Sequence, residues 1–492
     1  MELHYLTATE LSGMLKQKKI SSAELVKDTF SRIEKVEDKV KAYITLCKED
    51  ALEKAAQVDK KIANNEELPL LAGIPIGVKD NICTKGIKTT CASKMLENFV
   101  PPYNATVIEK INDNHMIITG KLNLDEFAMG SSCENSAFYP THNPHDLNKV
   151  PGGSSGGSGA SVAAGECPVS LGSDTGGSIR LPAQYCGIAG LKPTYGAVSR
   201  FGLVAFASSL DQIGPLTRSI SDMAHICNLL YGYDPKDSTS LNVNHKDFAQ
   251  ALTGDVKGLR IGIPRQFMGE GIKDSVKKSV QNAAKELEKL GAVIKEFDFP
   301  VVDYALPAYY ILSSAQAASN LARYDGVKYG YRAKEFDNLI DMYCKTRSEA
   351  FGKEVKRRIM LGNYVLSSGY YDAYYKKAMA LERYLKNEYQ NAFNDYDIIL
   401  TPSSPDTAFR INERTNDPIK MYLTDICTVS VNIAGLPAIS VPCGKDEENM
   451  PIGLQLIGKK LDDFKLLQVA YTYEQQCKIW DDMQPALTGA DK

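Results

Sequence analysis

The chain has 492 residues, 43% of them hydrophobic and 24% charged, which is the usual balance of a soluble globular protein. Its 57 basic and 60 acidic residues give a net charge of −3, which excludes the broad basic field of a nucleic-acid-binding protein. No signal peptide and no run of about 18 apolar residues is visible, so no membrane span is expected. The 11 cysteines contain no C-x-x-C pair, which predicts reduced thiols in a cytoplasmic protein and no metal site.

The first 65 residues are predicted to begin with helices. Two capping boxes start at Thr7 and Ser21. In each, the hydroxyl and a glutamate three residues later satisfy free N–H groups at a helix start. After the second box, apolar residues recur at helical spacing. A third helix is predicted from about Lys48 to Ala63.

Strands and helices then alternate, which predicts an α/β sheet. The apolar segment 73–78 is typical of a short buried strand, and it ends at Lys79. This lysine stands out because lysine is rarely buried unless it is paired. The chain is predicted to be a single domain with four parts: N-terminal helices over 1–65, a core with the active site over 66–245, a mainly helical insertion or cap over 303–392, and returning strands with a C-terminal helix over 393–492.

Residues 150–194 contain two clusters of small residues. Nine of the ten residues from Gly152 to Ser161 are Gly or Ser, and Asp174–Ser178 forms the second cluster. A flexible linker fits this composition. A site where backbone N–H groups closely approach an oxyanion or a phosphate fits it as well. The core-like segments after each cluster weigh against the linker.

The serines of this region need a base if one of them is a nucleophile. Residues 152–156 match the G-x-S-x-G elbow of serine hydrolases, which needs an acid and then a histidine further along the chain. The last histidine is His245, so almost half of the chain has none, and no histidine lies in a motif-like setting. No P-loop motif is present, so ATP binding is not expected. A neutral Lys79 can serve as the base if burial lowers its pKa from about 10.4 to about 7. Burial would then have to disfavour the ammonium form by about 4 kcal/mol. The alternative is a surface ion pair between Lys79 and Asp80.

Three segments together resemble the amidase signature family: GIPIGVKD at 73–80, PGGSSGGS at 151–158 and GSDTGGSIR at 172–180. The resemblance implies that family's fold, a central mixed β-sheet covered by helices on both faces. It also implies that Ser178 is the acyl-forming nucleophile, Lys79 the general base, and Ser154, after a cis peptide bond, the bridging serine. The implied oxyanion hole consists of backbone N–H groups around Thr175, Gly176, Gly177 and Ser178.

Four further segments extend the resemblance to one branch of the family, the A subunits of glutamyl-tRNA(Gln)/aspartyl-tRNA(Asn) amidotransferases; they are 120–132, 193–200, 370–376 and 432–440. This branch implies a glutaminase in a heterotrimer with B and C subunits. Ammonia would pass to the B subunit, which activates the misacylated tRNA with ATP and Mg. The chain itself would hold no cofactor and would meet tRNA only through the B subunit. Whether tRNA(Gln), tRNA(Asn) or both are served stays open.

A glutaminase must bind a zwitterion, which requires one cation and one anion beside the serine. The resemblance assigns the substrate carboxylate to Arg358 and the ammonium to Asp425. It adds Tyr309 as a third contact and places Ser131 in the pocket lining. The alternatives are a solvated helical face for Arg358 and a helix cap for Asp425. A free-standing amidase on another small amide would not need this pair, and it stays the alternative function.

Overall fold

The computed structural model describes residues 2–480, 482–485 and 487. Its strands in chain order are β1 (Tyr43–Leu46), β2 (Pro75–Lys79), β3 (Ile117–Leu122), β4 (Val169–Asp174), β5 (Ala189–Lys192), β6 (Gln212–Thr217), β7 (Arg260–Pro264), β8 (Val293–Phe297), β9 (Ile398–Pro402), β10 (Ala438–Lys445) and β11 (Pro451–Gly458). They form one sheet in the order β1-β3-β2-β4-β6-β5-β10-β11-β9-β7-β8.

The sheet is mixed, as predicted. Strand β2 runs parallel to β3 and β4, and β7 runs parallel to β8 and β9, whereas the other neighbours are antiparallel. Successive side chains of a strand point to opposite faces. On β3, Ile117 and Ile118 accordingly pack into two different buried apolar clusters. Both faces of the sheet are therefore covered, which confirms the expected fold class.

Helices surround this sheet: α1 (Ala8–Lys16), α2 (Ser22–Val40), α3 (Lys48–Ala63), α4 (Thr106–Asp113), α5 (Gly156–Ala163), α6 (Arg180–Tyr185), α7 (Ile220–Leu230), α8 (Asp274–Lys289), α9 (Ala305–Asn320), α10 (Leu339–Ala350), α11 (Lys353–Leu366), α12 (Lys376–Asp395), α13 (Pro418–Tyr422), α14 (Val429–Ala434) and α15 (Asp463–Cys477). Both predicted capping boxes are present, at Thr7 and Ser21. None of the helices in the described ranges is long and apolar enough to cross a membrane.

The region 303–392 is mainly helical, as its pattern predicted. It contains α9, α10, α11 and most of α12, and none of its residues, all of which are described, lies in a strand. The division of the chain into named parts stays a prediction. Helices α9 and α11 pack together, which matters because each carries a residue assigned to substrate binding.

The linker interpretation of residues 150–194 is wrong. The glycine-rich segment Gly156–Ala163 is the helix α5, and each of its residues is buried. At Gly157, an added Cβ would lie 2.5 Å from the carbonyl oxygen of Ala42 and 2.6 Å from the backbone nitrogen of Asn123. The small residues therefore allow a close approach of backbone segments, and they do not indicate mobility.

Parallel pairing of β2 with β4 determines where the site lies. Parallel strands have their carboxyl ends at the same edge of a sheet. Lys79 is the last residue of β2, and Asp174 is the last residue of β4. This edge therefore brings the lysine close to the two small-residue clusters.

Candidate active site

Lys79 is fully buried at the edge where β2 ends. Its Nζ donates to three serine hydroxyls, at 2.8 Å to Ser154, 2.8 Å to Ser155 and 2.9 Å to Ser173. Within the described ranges, no carboxylate bonds to it directly. Burial lowers the pKa of Lys79 to about 7, although Asp125 and other more distant anions oppose this shift. A large fraction of the amine is therefore neutral at pH 7, as a general base requires.

The proposed surface pair between Lys79 and Asp80 is wrong. Asp80 is itself fully buried and forms an ion pair with Lys121 at 3.0 Å. Its other oxygen accepts the backbone N–H of Thr90 at 2.8 Å. Because strand residues alternate in direction, adjacent Lys79 and Asp80 meet different surroundings. Asp80 is thus neutralised by a second lysine, and Lys79 is left to the serines.

Ser154 and Ser155 have different hydrogen-bond roles. The hydroxyl of Ser155 donates to the carbonyl oxygen of Ser173 at 3.1 Å, so its proton is already in use. The Ser154 hydroxyl, which follows the cis peptide bond Gly153–Ser154, contacts only the Lys79 amine among the described residues. A neutral amine has one lone pair and can accept this proton. Ser154 is therefore the serine that can pass a proton to Lys79.

Ser178 lies beside this pair but does not bond to it through its side chain. The backbone N–H of Ser155 donates to the carbonyl oxygen of Ser178 at 3.1 Å, which holds the two segments together. Within residues 2–480, the Ser178 hydroxyl has no hydrogen-bond partner, so the expected Ser154–Ser178 bond is not formed. Ser178 is 8% exposed, whereas Ser154 is fully buried. Ser178 is thus the serine that a substrate can reach.

The predicted oxyanion hole loses one donor. The N–H of Gly177 donates to Asp174 at 2.8 Å and is therefore not free to bind an oxyanion. The N–H groups of Thr175, Gly176 and Ser178 donate no hydrogen bond within the described part of the chain. The predicted donor set narrows to these three residues.

Arg180 and Asp174 form the rigid base of this turn. Both are fully buried, and the guanidinium contacts the carboxylate with Nε at 3.1 Å and Nη2 at 3.0 Å. Burial raises the pKa of the Asp174 carboxyl, but Arg180 outweighs it and holds the pKa well below its usual range. The ionised carboxylate also accepts the N–H groups of Gly177 and Ile179. It therefore fixes the backbone on both sides of Ser178.

Tyr309 lies against the catalytic turn, which is formed by residues 174–178. A Cβ added to Gly176 would lie 2.4 Å from Cζ and 2.5 Å from the hydroxyl oxygen of Tyr309, so only glycine allows this approach. Tyr309 is on α9 and is 4% exposed. The structure thus brings this predicted substrate contact to the catalytic turn, which carries the predicted oxyanion donors.

Arg358 is buried, so the alternative of a solvated helical face is wrong for it. It lies on α11 with 3% exposure, and its Nε donates to Glu354 at 2.8 Å. Its guanidinium carbon lies 5.1 Å from the ring centre of Tyr310 and 5.6 Å from that of Tyr422. Among the described residues, its two Nη groups donate to nothing. They form a planar pair of donors that suits a carboxylate.

Asp425 contacts the hydroxyl of Tyr310, the residue whose ring lies close to Arg358. Its Oδ2 accepts hydrogen bonds from Tyr310 at 2.8 Å and from Ser131 at 2.9 Å, and its Oδ1 accepts none within the described residues. The side chain caps no helix, so that alternative is wrong. Burial raises the pKa of Asp425 to about 7, although the two hydroxyls and Arg358 oppose the shift. Above pH 7 it offers a negative charge to an ammonium group.

Comparison with known proteins agrees with this geometry. A sequence model of the family described as Amidase matches residues 24–467. The chain belongs to the amidase family. Amidases act on many amides, so membership alone does not fix a substrate.

Several relatives of this amidase carry the same description, the A subunit of glutamyl-tRNA(Gln) amidotransferase. The protein so described from Desulforamulus reducens is 58% identical over 475 residues, which cover 96% of this chain and 98% of the relative. The one from Thermoanaerobacter pseudethanolicus is 59% identical over 479 residues, 97% of this chain and 98% of its own.

Solved structures give the same picture. The crystal structure of the glutamyl-tRNA(Gln) amidotransferase A subunit from Thermotoga maritima is 41% identical, with a TM-score of 0.80, and the match covers 96% of this amidase and 95% of that chain. A bacterial aryl acylamidase of the amidase signature family is 25% identical with a TM-score of 0.85 over 98% and 99% of the two chains. The fold is thus shared with an amidase that acts on another substrate. The two relatives that are more than half identical to this chain are both described as A subunits.

Several residues of the site were not predicted from the sequence of this amidase. Ser155 and Ser173 hold Lys79, Tyr310 joins Arg358 to Asp425, and Glu354 pairs with Arg358. Spacing gave one available signal, because Glu354 and Arg358 are four residues apart on a helix and such pairs share a face. Within residues 2–480, 482–485 and 487, no group of three His, Cys, Asp or Glu side chains is arranged to hold a metal ion.

Proposed function

We propose that this amidase is the glutaminase subunit of a tRNA-dependent amidotransferase. One observation carries the proposal: a cation with two free donors, Arg358, and a carboxylate with one free oxygen, Asp425, share Tyr310 near the catalytic turn. This pair suits the α-carboxylate and α-ammonium of a free amino acid, which a simple amide lacks. The names of the relatives that are more than half identical over nearly the full chain support the same assignment.

Glutamine would bind with its α-carboxylate on the Arg358 Nη groups and its ammonium on Asp425. Its side-chain amide would then extend past Tyr309 and Ser131 toward Ser178. Fixing the substrate at both charges is an efficient way to position the amide, since orientation contributes several kcal/mol to catalysis. The oxygen of the amide would lie at the free N–H groups of Gly176 and its neighbours.

Acylation begins when the Ser178 Oγ attacks the amide carbon. The Ser178 proton moves to the Ser154 oxygen while the Ser154 proton moves to neutral Lys79, so Ser154 stays neutral and Lys79 becomes an ammonium. The carbonyl oxygen becomes an oxyanion that the free backbone N–H groups stabilise. As the carbon–nitrogen bond breaks, the proton returns through Ser154 to the leaving nitrogen. Ammonia is released, and an ester joins the glutamyl group to Ser178.

Deacylation repeats this path with water as the nucleophile. Water loses a proton through Ser154 to Lys79 and attacks the ester carbon. The bond between that carbon and Ser178 Oγ breaks, and the proton returns to the serine. Glutamate leaves, and the neutral lysine is restored for the next cycle.

The proposal includes the other parts of the reaction. Ammonia would be used by a B subunit, which activates misacylated Glu-tRNA(Gln), Asp-tRNA(Asn) or both with ATP and Mg. A C subunit would complete a heterotrimer in the cytoplasm. This chain would meet tRNA through the B subunit. The names of the relatives support a complex of several subunits, whereas the B and C subunits, ATP and Mg are expectations from the family resemblance.

The central test separates ammonia release from ammonia use. In the complex purified with its B and C subunits, Ser178→Ala should abolish glutamine-dependent formation of Gln-tRNA(Gln), because no acyl-enzyme can form. Formation of the same product from added ammonium chloride should survive. Ser367→Ala, at an exposed serine after α11, serves as the matched control. Loss of both activities in a correctly assembled Ser178→Ala complex would count against the assignment.

A second assay addresses the alternative of a free-standing amidase. Ammonia release is measured with glutamine and with simple amides that lack the α-carboxylate and α-ammonium. The proposal expects a strong preference for glutamine. Equal or higher kcat/KM for the simple amides, without any partner subunit, would favour the alternative.

A further inference from the structure

Glu354 lies beside the predicted substrate pocket and bonds to two of the residues around it. It lies in the first turn of α11 and is 7% exposed. Its Oε1 accepts hydrogen bonds from Arg358 Nε at 2.8 Å and from the Tyr422 hydroxyl at 2.8 Å. Its Oε2 faces Arg357, whose side chain is largely exposed. One carboxylate therefore holds both the residue assigned to the substrate carboxylate and Tyr422, the last residue of α13.

These contacts decide how the Arg358 guanidinium is presented. Nε is occupied by Glu354, and the flat face lies over the rings of Tyr310 and Tyr422. The group can then rotate little, and its two Nη donors are the ones left for a ligand. An arginine fork is most selective for a carboxylate when it is fixed in this way. The pair differs from a surface i,i+4 pair, because both side chains are at least nine-tenths buried.

The same carboxylate sets the charge of the pocket. Without Glu354, buried Arg358 would carry an uncompensated positive charge, and buried charges act strongly on one another. Glutamine has no net charge, whereas glutamate, the hydrolysis product, carries one more carboxylate. A pocket with an uncompensated cation would therefore retain glutamate. A compensated cation still offers two donors to the α-carboxylate but attracts the second carboxylate less.

A short chain of contacts also connects Glu354 to the ammonium end of the pocket. Tyr422, which donates to Glu354, stacks on Tyr310 with 3.9 Å between ring centres. Tyr310 in turn donates to Asp425. Burial raises the pKa of Glu354, but Arg358 and the hydrogen bonds outweigh it and lower the pKa, so the group stays charged at neutral pH. Glu354 is thus placed to act on both ends through other residues.

We infer that Glu354 is a positioning residue that fixes the Arg358 fork toward the substrate α-carboxylate and offsets its charge, so that the site selects neutral glutamine over anionic glutamate. This inference rests on the proposed glutaminase function and adds the source of its selectivity. Glu354 itself does not take part in the proton transfers.

Two substitutions separate positioning from charge. Glu354→Ala removes both, whereas Glu354→Gln keeps an oxygen that can take the Oε1 place, with its amide nitrogen toward the exposed Arg357 side. Steady-state kcat and KM for glutamine and the competitive Ki of glutamate are measured in the complex with its partner subunits. Glu382→Gln, at a surface pair with Lys386 on α12, is the matched control.

Glu354→Ala should raise the KM for glutamine by about tenfold or more, with kcat within about threefold, as expected for loss of a charge-assisted contact that positions Arg358. Glu354→Gln should restore the KM to within about threefold but lower the Ki of glutamate by about tenfold, because the cation is no longer offset. A merely structural role would not lower this Ki.

The outcomes distinguish failure of the Glu354 inference from failure of the proposed glutaminase function. Wild-type KM and Ki in the Glu354→Gln complex would overturn the inference while leaving the glutaminase intact. If the Glu354→Ala chain does not assemble, the Ki measured with Glu354→Gln alone decides. A wild-type complex that does not hydrolyse glutamine overturns the proposed function, and the inference falls with it.

Discussion

The two ends of the active site treat buried charge in opposite ways. At the catalytic end, Lys79 has three serine hydroxyls around it and no carboxylate bonded to it within the described ranges, and burial lowers its pKa to about 7. At the binding end, Arg358 is buried to a similar extent but is paired with Glu354. There burial opposes the charge, yet Glu354 and the nearby tyrosines raise the pKa of Arg358 well above its usual value.

The difference follows from what each end must do. A base has to lose its proton at the working pH, so an unpaired lysine in a polar but uncharged cage is suitable. A residue that binds a carboxylate has to keep its charge, so it needs a counter-ion within the protein. Burial alone therefore does not decide the function of a cation, and its first neighbours do.

The largest expected effect comes from making the catalytic end resemble the binding end. Lys79→Arg keeps a cation at the end of β2 but cannot act as a base, because arginine is not deprotonated in proteins. Glutamine hydrolysis should fall by about 10³-fold or more at every pH. The measurement is ammonia release by the complex, with thermal unfolding used to check that the variant is folded.

Lys16→Arg, at the exposed last turn of α1, is a suitable control for the substitution type. It should leave hydrolysis unchanged. A folded Lys79→Arg complex with more than a tenth of the wild-type rate would show that another group is the base.

The pH dependence should separate the two ends. Lys79, with its pKa lowered to about 7, gains a proton below that pH and stops acting as base. Asp425, with its pKa raised to about 7, becomes neutral below the same pH and stops attracting the ammonium. For glutamine, kcat/KM at pH 6 should be about 100-fold below its plateau at high pH, since two groups titrate.

A simple amide without an ammonium group reports on Lys79 alone. Its kcat/KM should fall by about tenfold at pH 6, because a single group titrates. Identical profiles for glutamine and the simple amide would contradict the role of Asp425. A flat profile for both would contradict the neutral-lysine base.

A smaller effect is expected from weakening the fork while keeping its charge. Arg358→Lys leaves a cation for Glu354, so the buried carboxylate is not left unpaired and the fold should survive. A lysine cannot offer two parallel donors, so the KM for glutamine should rise by about 30-fold with little change in kcat. Steady-state ammonia release gives both constants. An unchanged KM would reject the carboxylate role of Arg358.

The sequence predicted the regular parts of the fold well, because apolar periodicity and helix caps are local signals. Both capping boxes, the third helix and the strand before Lys79 appear as predicted. Helix α5 was not predicted, since its glycines are required by close backbone neighbours that are distant in sequence. The order of the strands was not predicted either, because pairing is a long-range property.

The sequence predicted the catalytic end of the candidate site more directly than the binding end. The serines and Lys79 lie in short motifs, so resemblance to a family was sufficient to name them. At the binding end, Arg358 and Asp425 were named by resemblance alone, because their shared neighbour Tyr310 lies on α9, far from both in the sequence. The occupied N–H of Gly177 was missed because its acceptor, Asp174, folds back on the same turn. Local patterns identify residue types, whereas partners have to be seen in three dimensions.

The smallest expected effect tests the residue that joins the two charges of the binding end. Tyr310→Phe keeps the ring that stacks on Tyr422 but removes the hydrogen bond to Asp425. The KM for glutamine should rise by about fivefold, or about 1 kcal/mol, which is the usual net contribution of one hydrogen bond. Tyr364→Phe, at an exposed tyrosine of α11, should leave it unchanged.

The same substitution should shift one titration and leave the other in place. The Tyr310 hydroxyl lowers the pKa of the Asp425 carboxyl, because a donor favours the charged form. Its removal should therefore raise that pKa further, and the loss of kcat/KM for glutamine should begin at a higher pH. The profile for a simple amide, which depends on Lys79, should stay where it is. A shift of both profiles together would mean that the two ends of the site do not titrate independently.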